Sequence, residues 1–156
     1  MHPSVIGRVL GQLLLLFSVT MLTPIVVALI YGESTVPMFL LAFAITAGIG
    51  AGSWWLSRHT RPDLRTRDGF VITVLFWLVL GTFGALPLML AEAPHLAFTD
   101  AVFESISGLT TTGATVITHL DSLPRSILYY RQQLQWLGGI GIVVIAVAIL
   151  PMLGVG

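Results

Sequence analysis

Cysteine and lysine are both missing from the 156 residues, and charge of either sign is scarce, with charged side chains at only 9%. Without cysteine there is no disulfide and no thiolate metal site. The seven basic residues are therefore all arginine, and seven acidic residues balance them to a net charge of zero. That leaves no basic surface for a phosphate backbone, so nucleic acid is not an expected partner. The four histidines (His2, His59, His95, His119) are too scattered to form a ligand pair at helical spacing. No Ser–His, paired-carboxylate or His–Glu set falls at catalytic spacing inside the apolar stretches, which argues against an intramembrane enzyme.

What fills the chain instead is apolar: 56% of residues are hydrophobic and the mean hydropathy is +0.96. A soluble domain carries about 25% charged residues, so this composition belongs to a membrane protein. Four stretches are long enough to cross a bilayer core of about 30 Å as helices. They are 5–31, 36–57, 70–91 and 128–153. The apolar run after Arg8 is longer than a cleavable signal segment and no small-x-small site follows it, so it is expected to be a retained first span. The short polar turn 32–35 makes the first two spans an antiparallel hairpin.

Four of the seven arginines fall in the loop 58–69. Positive charge collects on cytoplasmic loops, which predicts a cytoplasmic N-terminus and places 32–35 and 92–127 outside. Trp136 at one end, and Trp54 with Trp55 at the other, suit interfacial belts. Gly48 and Gly52 form a small-xxx-small face for helix contact, and Gly138, Gly139 and Gly141 open a groove on the last span. Pro24, Pro87 and Pro151 each remove a backbone donor and predict local kinks. A boundary near Pro62 divides a hairpin, 1–62, from a helix–loop–helix piece, 63–156.

The segment 98–117, FTDAVFESISGLTTTGATVI, carries the chemistry. Asp100 and Glu104 make it too polar to span, while Phe98, Val102, Phe103, Ile106 and Leu109 recur at helical spacing. A short helix that enters from outside and stops partway fits both facts. Thr99 is the expected N-cap, with Asp100 in the first turn against the positive end of the helix dipole. Gly108 loosens the helix near its end, and Leu109 is its last expected residue. Thr110-Thr111-Thr112-Gly113-Ala114-Thr115 then favours extended backbone. At membrane depth such backbone is tolerated only when buried in protein or lining a watery cavity. Its carbonyl oxygens then have no helical partners, and a row of them replaces the water around a potassium ion. Gly113 allows angles that turn successive carbonyls to one axis. Glu104 and Ser107 lie on neighbouring faces close to this strand and are expected to brace it. Arg131 is left to pair with Glu92 or Asp121, or to reach the headgroups.

The string 103–115, FESISGLTTTGAT, resembles the first filter of Trk-type bacterial potassium-uptake proteins of the Trk/Ktr/HKT superfamily. Residues 135–142 and 148–156 are similar to the span that follows it, and an added N-terminal hairpin is a Trk-type feature. The resemblance implies an all-α integral membrane fold: a two-helix hairpin, then one helix–pore helix–filter–helix unit. It further implies a selectivity filter at Thr111, Thr112, Gly113, Ala114 and Thr115, with potassium held at Thr111 and Thr112. Thr110, Glu104, Ser107 and Gly108 would support it, and potassium would be the transported substrate with no covalently bound cofactor.

Family members carry four such repeats, whereas this sequence holds one. The three remaining repeats, from the same full-length chain or from other copies, are therefore implied partners, along with membrane lipid. The resemblance also implies a homodimer of the full-length protein, a cytoplasmic nucleotide-binding regulatory subunit, and a bacterial inner-membrane location. The stop at Gly154-Val155-Gly156 is expected to reflect truncation rather than a natural homotetramer. The competing reading is a non-conducting membrane scaffold or accessory subunit, or a truncated inactive product.

Overall fold

The computed structural model describes residues 3–58 and 66–149, with side chains from 4–58 and 69–143. All regular elements there are helical: α1 (Pro3–Thr20), α2 (Thr23–Tyr31), α3 (Val36–Ser57), α4 (Thr66–Gly84), α5 (Leu86–Leu90), α6 (Phe98–Leu109) and α7 (Arg125–Ile149). A single 3-10 turn, Leu120–Ser122, precedes α7.

Three stretches are long and apolar enough to cross a membrane by length and composition: Ser4–Tyr31, Val36–Ser57 and Gly69–Leu90. Two of them are interrupted at the expected prolines. Helix α1 ends at Thr20 and α2 restarts with Pro24 in its first turn; α4 ends at Gly84 and α5 restarts around Pro87. The fourth expected span corresponds to α7, which begins three residues earlier than the apolar pattern suggested. Pro151, the arginine-rich loop 59–65 and the proposed boundary at 62 lie outside the described residues.

Each break frees a carbonyl, and α7 supplies the donor. The Gln133 amide donates to the Thr20 carbonyl at 2.8 Å, and the Thr23 hydroxyl sits 2.8 Å from Gln133 Oε1. One turn earlier, the buried Tyr130 hydroxyl donates to the Gly84 carbonyl at 2.8 Å. The same ring meets Phe39 edge-on, with centroids 5.6 Å apart. Helix α7 is thus the central post, against which both broken helices satisfy polar groups that lipid cannot. Outward-facing Leu16, Ile30, Leu56 and Val143 are exposed, the inverse of a soluble surface and the pattern of a membrane protein.

The hairpin closes on a face of α3 other than the Gly48–Gly52 pair. A Cβ on Gly48 or Gly52 would meet nothing within 4 Å, whereas one on Gly11 would lie 2.8 Å from the Gly50 carbonyl oxygen. The α1–α3 backbones touch there, and Ser53 donates to the Gly7 carbonyl at 2.8 Å. Several faces of α3 carry small residues, and the face that Gly7 and Gly11 of α1 can approach is the one used.

The turn after α2 is also more than a connector. Gly32 takes the left-handed conformation (φ 65°) that ends the helix. Glu33 then reaches the first turn of α7, accepting from the Ser126 backbone N–H at 3.0 Å, the Ser126 hydroxyl and the Arg125 N–H. This places a carboxylate at the positive end of the α7 dipole. Partial burial pushes the Glu33 carboxyl up, but these donors and the Arg125 charge outweigh it and hold the group below its ordinary range.

Candidate functional site

Helix α6 has 12 residues. At 1.5 Å per residue it is about 18 Å long, too short for a bilayer core. It starts after Ala97, whose extended backbone makes it the N-cap, with no side-chain hydrogen bond. The expected cap Thr99 lies inside the first turn instead, because the chain already bends into the helix two residues earlier. The helix ends at Leu109, as its sequence indicates.

Glycines on the flanking helices admit α6 at close range. A Cβ on Gly81 would come within 2.5 Å of Ile106, and one on Gly84 would overlap the Ser105 hydroxyl. Across α7, a Cβ on Gly138 would overlap the Leu109 carbonyl. Gly138 is 13 residues into α7, so α6 stops beside a point about 20 Å from the start of α7.

The reversal is a Schellman closure. Thr112 N–H donates to the Ser107 carbonyl and Thr111 N–H to the Gly108 carbonyl, both at 2.9 Å. The residue at the left-handed position of such a closure is commonly glycine, but here it is Thr111, at φ 56°. A branched side chain in that region is strained by about 1–2 kcal/mol. Gly113, at φ 75°, is the second left-handed residue and adopts the geometry without that cost.

From this reversal the chain runs back along α7 without regular structure to residue 119, and residues 110–116 are exposed. Among the described residues, the carbonyls of Thr111, Thr112, Gly113 and Thr115 accept no hydrogen bond. The Ala114 carbonyl does, from the Ser107 hydroxyl at 2.6 Å. The Thr110 and Thr112 hydroxyls lie 2.7 Å apart.

Behind the strand sits Glu104, 4% exposed. Its Oε1 accepts from Val116 N–H at 2.6 Å, Ile117 N–H at 3.4 Å and the Thr115 hydroxyl. Its Oε2 accepts from Arg131 Nη2 at 3.0 Å and Nε at 3.2 Å, and Nη2 also reaches the Thr115 hydroxyl at 3.2 Å. Arg131 therefore pairs with Glu104 and not with Glu92, Asp121 or headgroups. A carboxylate in an apolar half-helix needs a buried counter-charge, and Arg131, six residues into α7, is the cation at matching depth. That depth argument was available from sequence. Asp100 sits in the first turn of α6, away from this cluster.

Trp136 is 65% exposed but lies 11 residues, about 16 Å, below the first residue of α7. That is nearer the middle of the helix than the belt position expected, because α7 begins earlier than the apolar pattern.

A short helix, a sharp reversal, and a returning strand with free carbonyls held from behind form a unit built to present backbone oxygen. Residues 35–156 match the family model TrkH, described as a cation transport protein. The chain belongs to the TrkH family. It is 62% identical, over its whole length, to the Trk system potassium uptake protein TrkH of Halomonas elongata, of which it covers 32%. It is 55% identical to TrkH of Escherichia coli strain K12, with the same coverage, and 48% identical to TrkG of that strain, over 99% of this chain and 32% of that protein. The crystal structure of the potassium transporter TrkH from Vibrio parahaemolyticus superposes with a TM-score of 0.93 at 54% identity, covering all of this chain and 33% of that one. This TrkH-family chain thus spans about a third of the length of the relatives it matches, and those relatives are transporters rather than enzymes.

Proposed function

We propose that the chain supplies one of four filter strands of a potassium-uptake pore. Thr111 to Thr115 is the strand, and the carbonyls of Thr111 and Thr112 are the ion contacts. The single observation that carries the reading is the returning segment after α6, whose Thr111, Thr112, Gly113 and Thr115 carbonyls accept no hydrogen bond among the described residues while Glu104 and Ser107 hold its far side. Such oxygens can take the place of hydration water around a cation. The Ser107 bond at Ala114 turns that carbonyl toward α6, so Ala114 is a structural link of the strand rather than an ion ligand. Potassium is the substrate, as in the named relatives.

The remaining three repeats close the ring, either in one full-length chain or from other copies. A homodimer of the full-length protein, a cytoplasmic nucleotide-binding regulatory subunit, an inner-membrane location and a cytoplasmic N-terminus complete the proposal. They are supported by family resemblance and by the arginine distribution. Residues 1–62 are a supporting hairpin and 63–156 the pore repeat. The scaffold alternative makes no use of the free carbonyls and is not favoured.

The test is Gly113→Ser in a full-length transporter carrying these 156 residues. At φ 75° a side chain is strained, so the strand shifts and potassium uptake and potassium-over-sodium preference both fall. Unchanged uptake and preference would overturn the assignment.

A further inference from the structure

Among the described residues, the buried ion pair Glu104–Arg131 joins two different elements that converge on the same strand. Side-chain exposure is 2% for Glu104 and 11% for Arg131. A carboxylate so placed, with the partner removed, is an uncompensated buried charge. Its Oε1 is also the acceptor for the Val116 and Ile117 N–H groups, so any movement of Glu104 moves the strand. Arg131 meets Oε2 with both Nε and Nη2, and places Nη2 on Thr115 as well. This two-point grip is on the one oxygen, and with the strand's donors on Oε1 it holds the carboxylate from both ends; a single ammonium offers no such pre-organised pair of donors.

We propose that Arg131 is a positioning residue for ion discrimination: its guanidinium holds Oε2 of Glu104, and Glu104, through Oε1, sets the height of the Thr115–Ile117 backbone and hence of the carbonyls before it. Arg131 touches no ion. The inference rests on reading 111–115 as a filter strand, and the experiment separates the two.

Four variants of the full-length transporter in proteoliposomes decide it: Arg131→Met, Arg131→Lys, Glu104→Gln and the double Glu104→Gln/Arg131→Met. The readout is the potassium-to-sodium flux ratio, with Gly113→Ser run alongside. Misplacement of liganding groups by a fraction of an ångström should lower the ratio for Arg131→Met by about tenfold. Arg131→Lys keeps the charge and loses the two-point grip, so its ratio falls between wild type and Arg131→Met. The double variant recovers part of the loss, because the neutral amide oxygen still accepts from Val116 N–H and needs no counter-charge. Glu104→Gln alone leaves Arg131 unmatched and falls below the double.

If Arg131→Met keeps the wild-type ratio while Gly113→Ser loses it, the inference is overturned and the filter reading stands. If both keep it, the filter reading itself is overturned. Should Arg131→Met fail to reach the membrane, the other variants decide: a wild-type ratio for Arg131→Lys, or a double variant no better than Glu104→Gln, overturns the proposal.

Discussion

Two glutamates in this chain do nearly the same thing in different places. Glu33 and Glu104 each accept two backbone N–H groups and one hydroxyl from another segment, 92 and 93 residues on for Glu33 and 11 to 13 residues on for Glu104. Glu33 lies half-buried in an outer turn and its donors begin a helix, so the α7 dipole is its counter-charge. Glu104 is buried and its donors belong to an irregular strand, so its counter-charge is an arginine instead. A carboxylate can organise backbone at either depth, but only the deeper one requires a dedicated cation. That requirement ties α6, the strand and α7 into one unit.

The comparison is tested hardest at Glu104. Replacing it with alanine strands Arg131 and frees two backbone donors, and should cost about 3–5 kcal/mol of stability, measured by thermal unfolding in detergent. A loss as small as that at Glu33 would erase the distinction between the two. Next comes Gly138→Ala, where a methyl group would collide with the Leu109 carbonyl and push α7 off the end of α6. About 1–3 kcal/mol is expected from such overpacking, with a loss of uptake. Glu33→Gln should cost about 1 kcal/mol, the scale of a helix cap. Since the folded Glu33 carboxyl titrates below its ordinary 4.5, its contribution is complete above that value and fades as pH falls through the lowered one. The wild-type advantage over Glu33→Gln should therefore be flat near neutrality and shrink below pH 4.5; growth on acidification would contradict the cap. Smallest is Gly48→Ala, which meets open space and should change stability by less than about 0.5 kcal/mol.

The features legible in sequence were those a few adjacent residues decide. Pro24 and Pro87 mark the breaks because proline removes a donor wherever it sits. The end of α6 at Leu109 follows from the Thr-rich run behind it, and the left-handed Gly113 from glycine's freedom. Features decided by what comes alongside were not legible. Gly50 rather than Gly48 carries the α3 contact because α1 arrives on that side. Thr99 caps nothing because the loop from 91 to 97 delivers the chain early. Gln133 and Tyr130 look like an ordinary polar patch until the two broken helices bring their freed carbonyls. The Arg131–Glu104 bond joins residues 27 apart, where the sequence reading offered Arg131 only Glu92, Asp121 or the headgroups; the rule that a membrane-depth charge must have a partner was the signal that could have found it.

The threonine at position 111 has one more consequence. A glycine there would suit the left-handed angle and also many others, so the joint between helix and strand would wander thermally. The branched side chain narrows the accessible backbone range in every state of the chain. Because that range scarcely includes the left-handed angle, the joint is held by its surroundings, the two Schellman bonds and the seat of Leu109 against Gly138, and would relax if they were released.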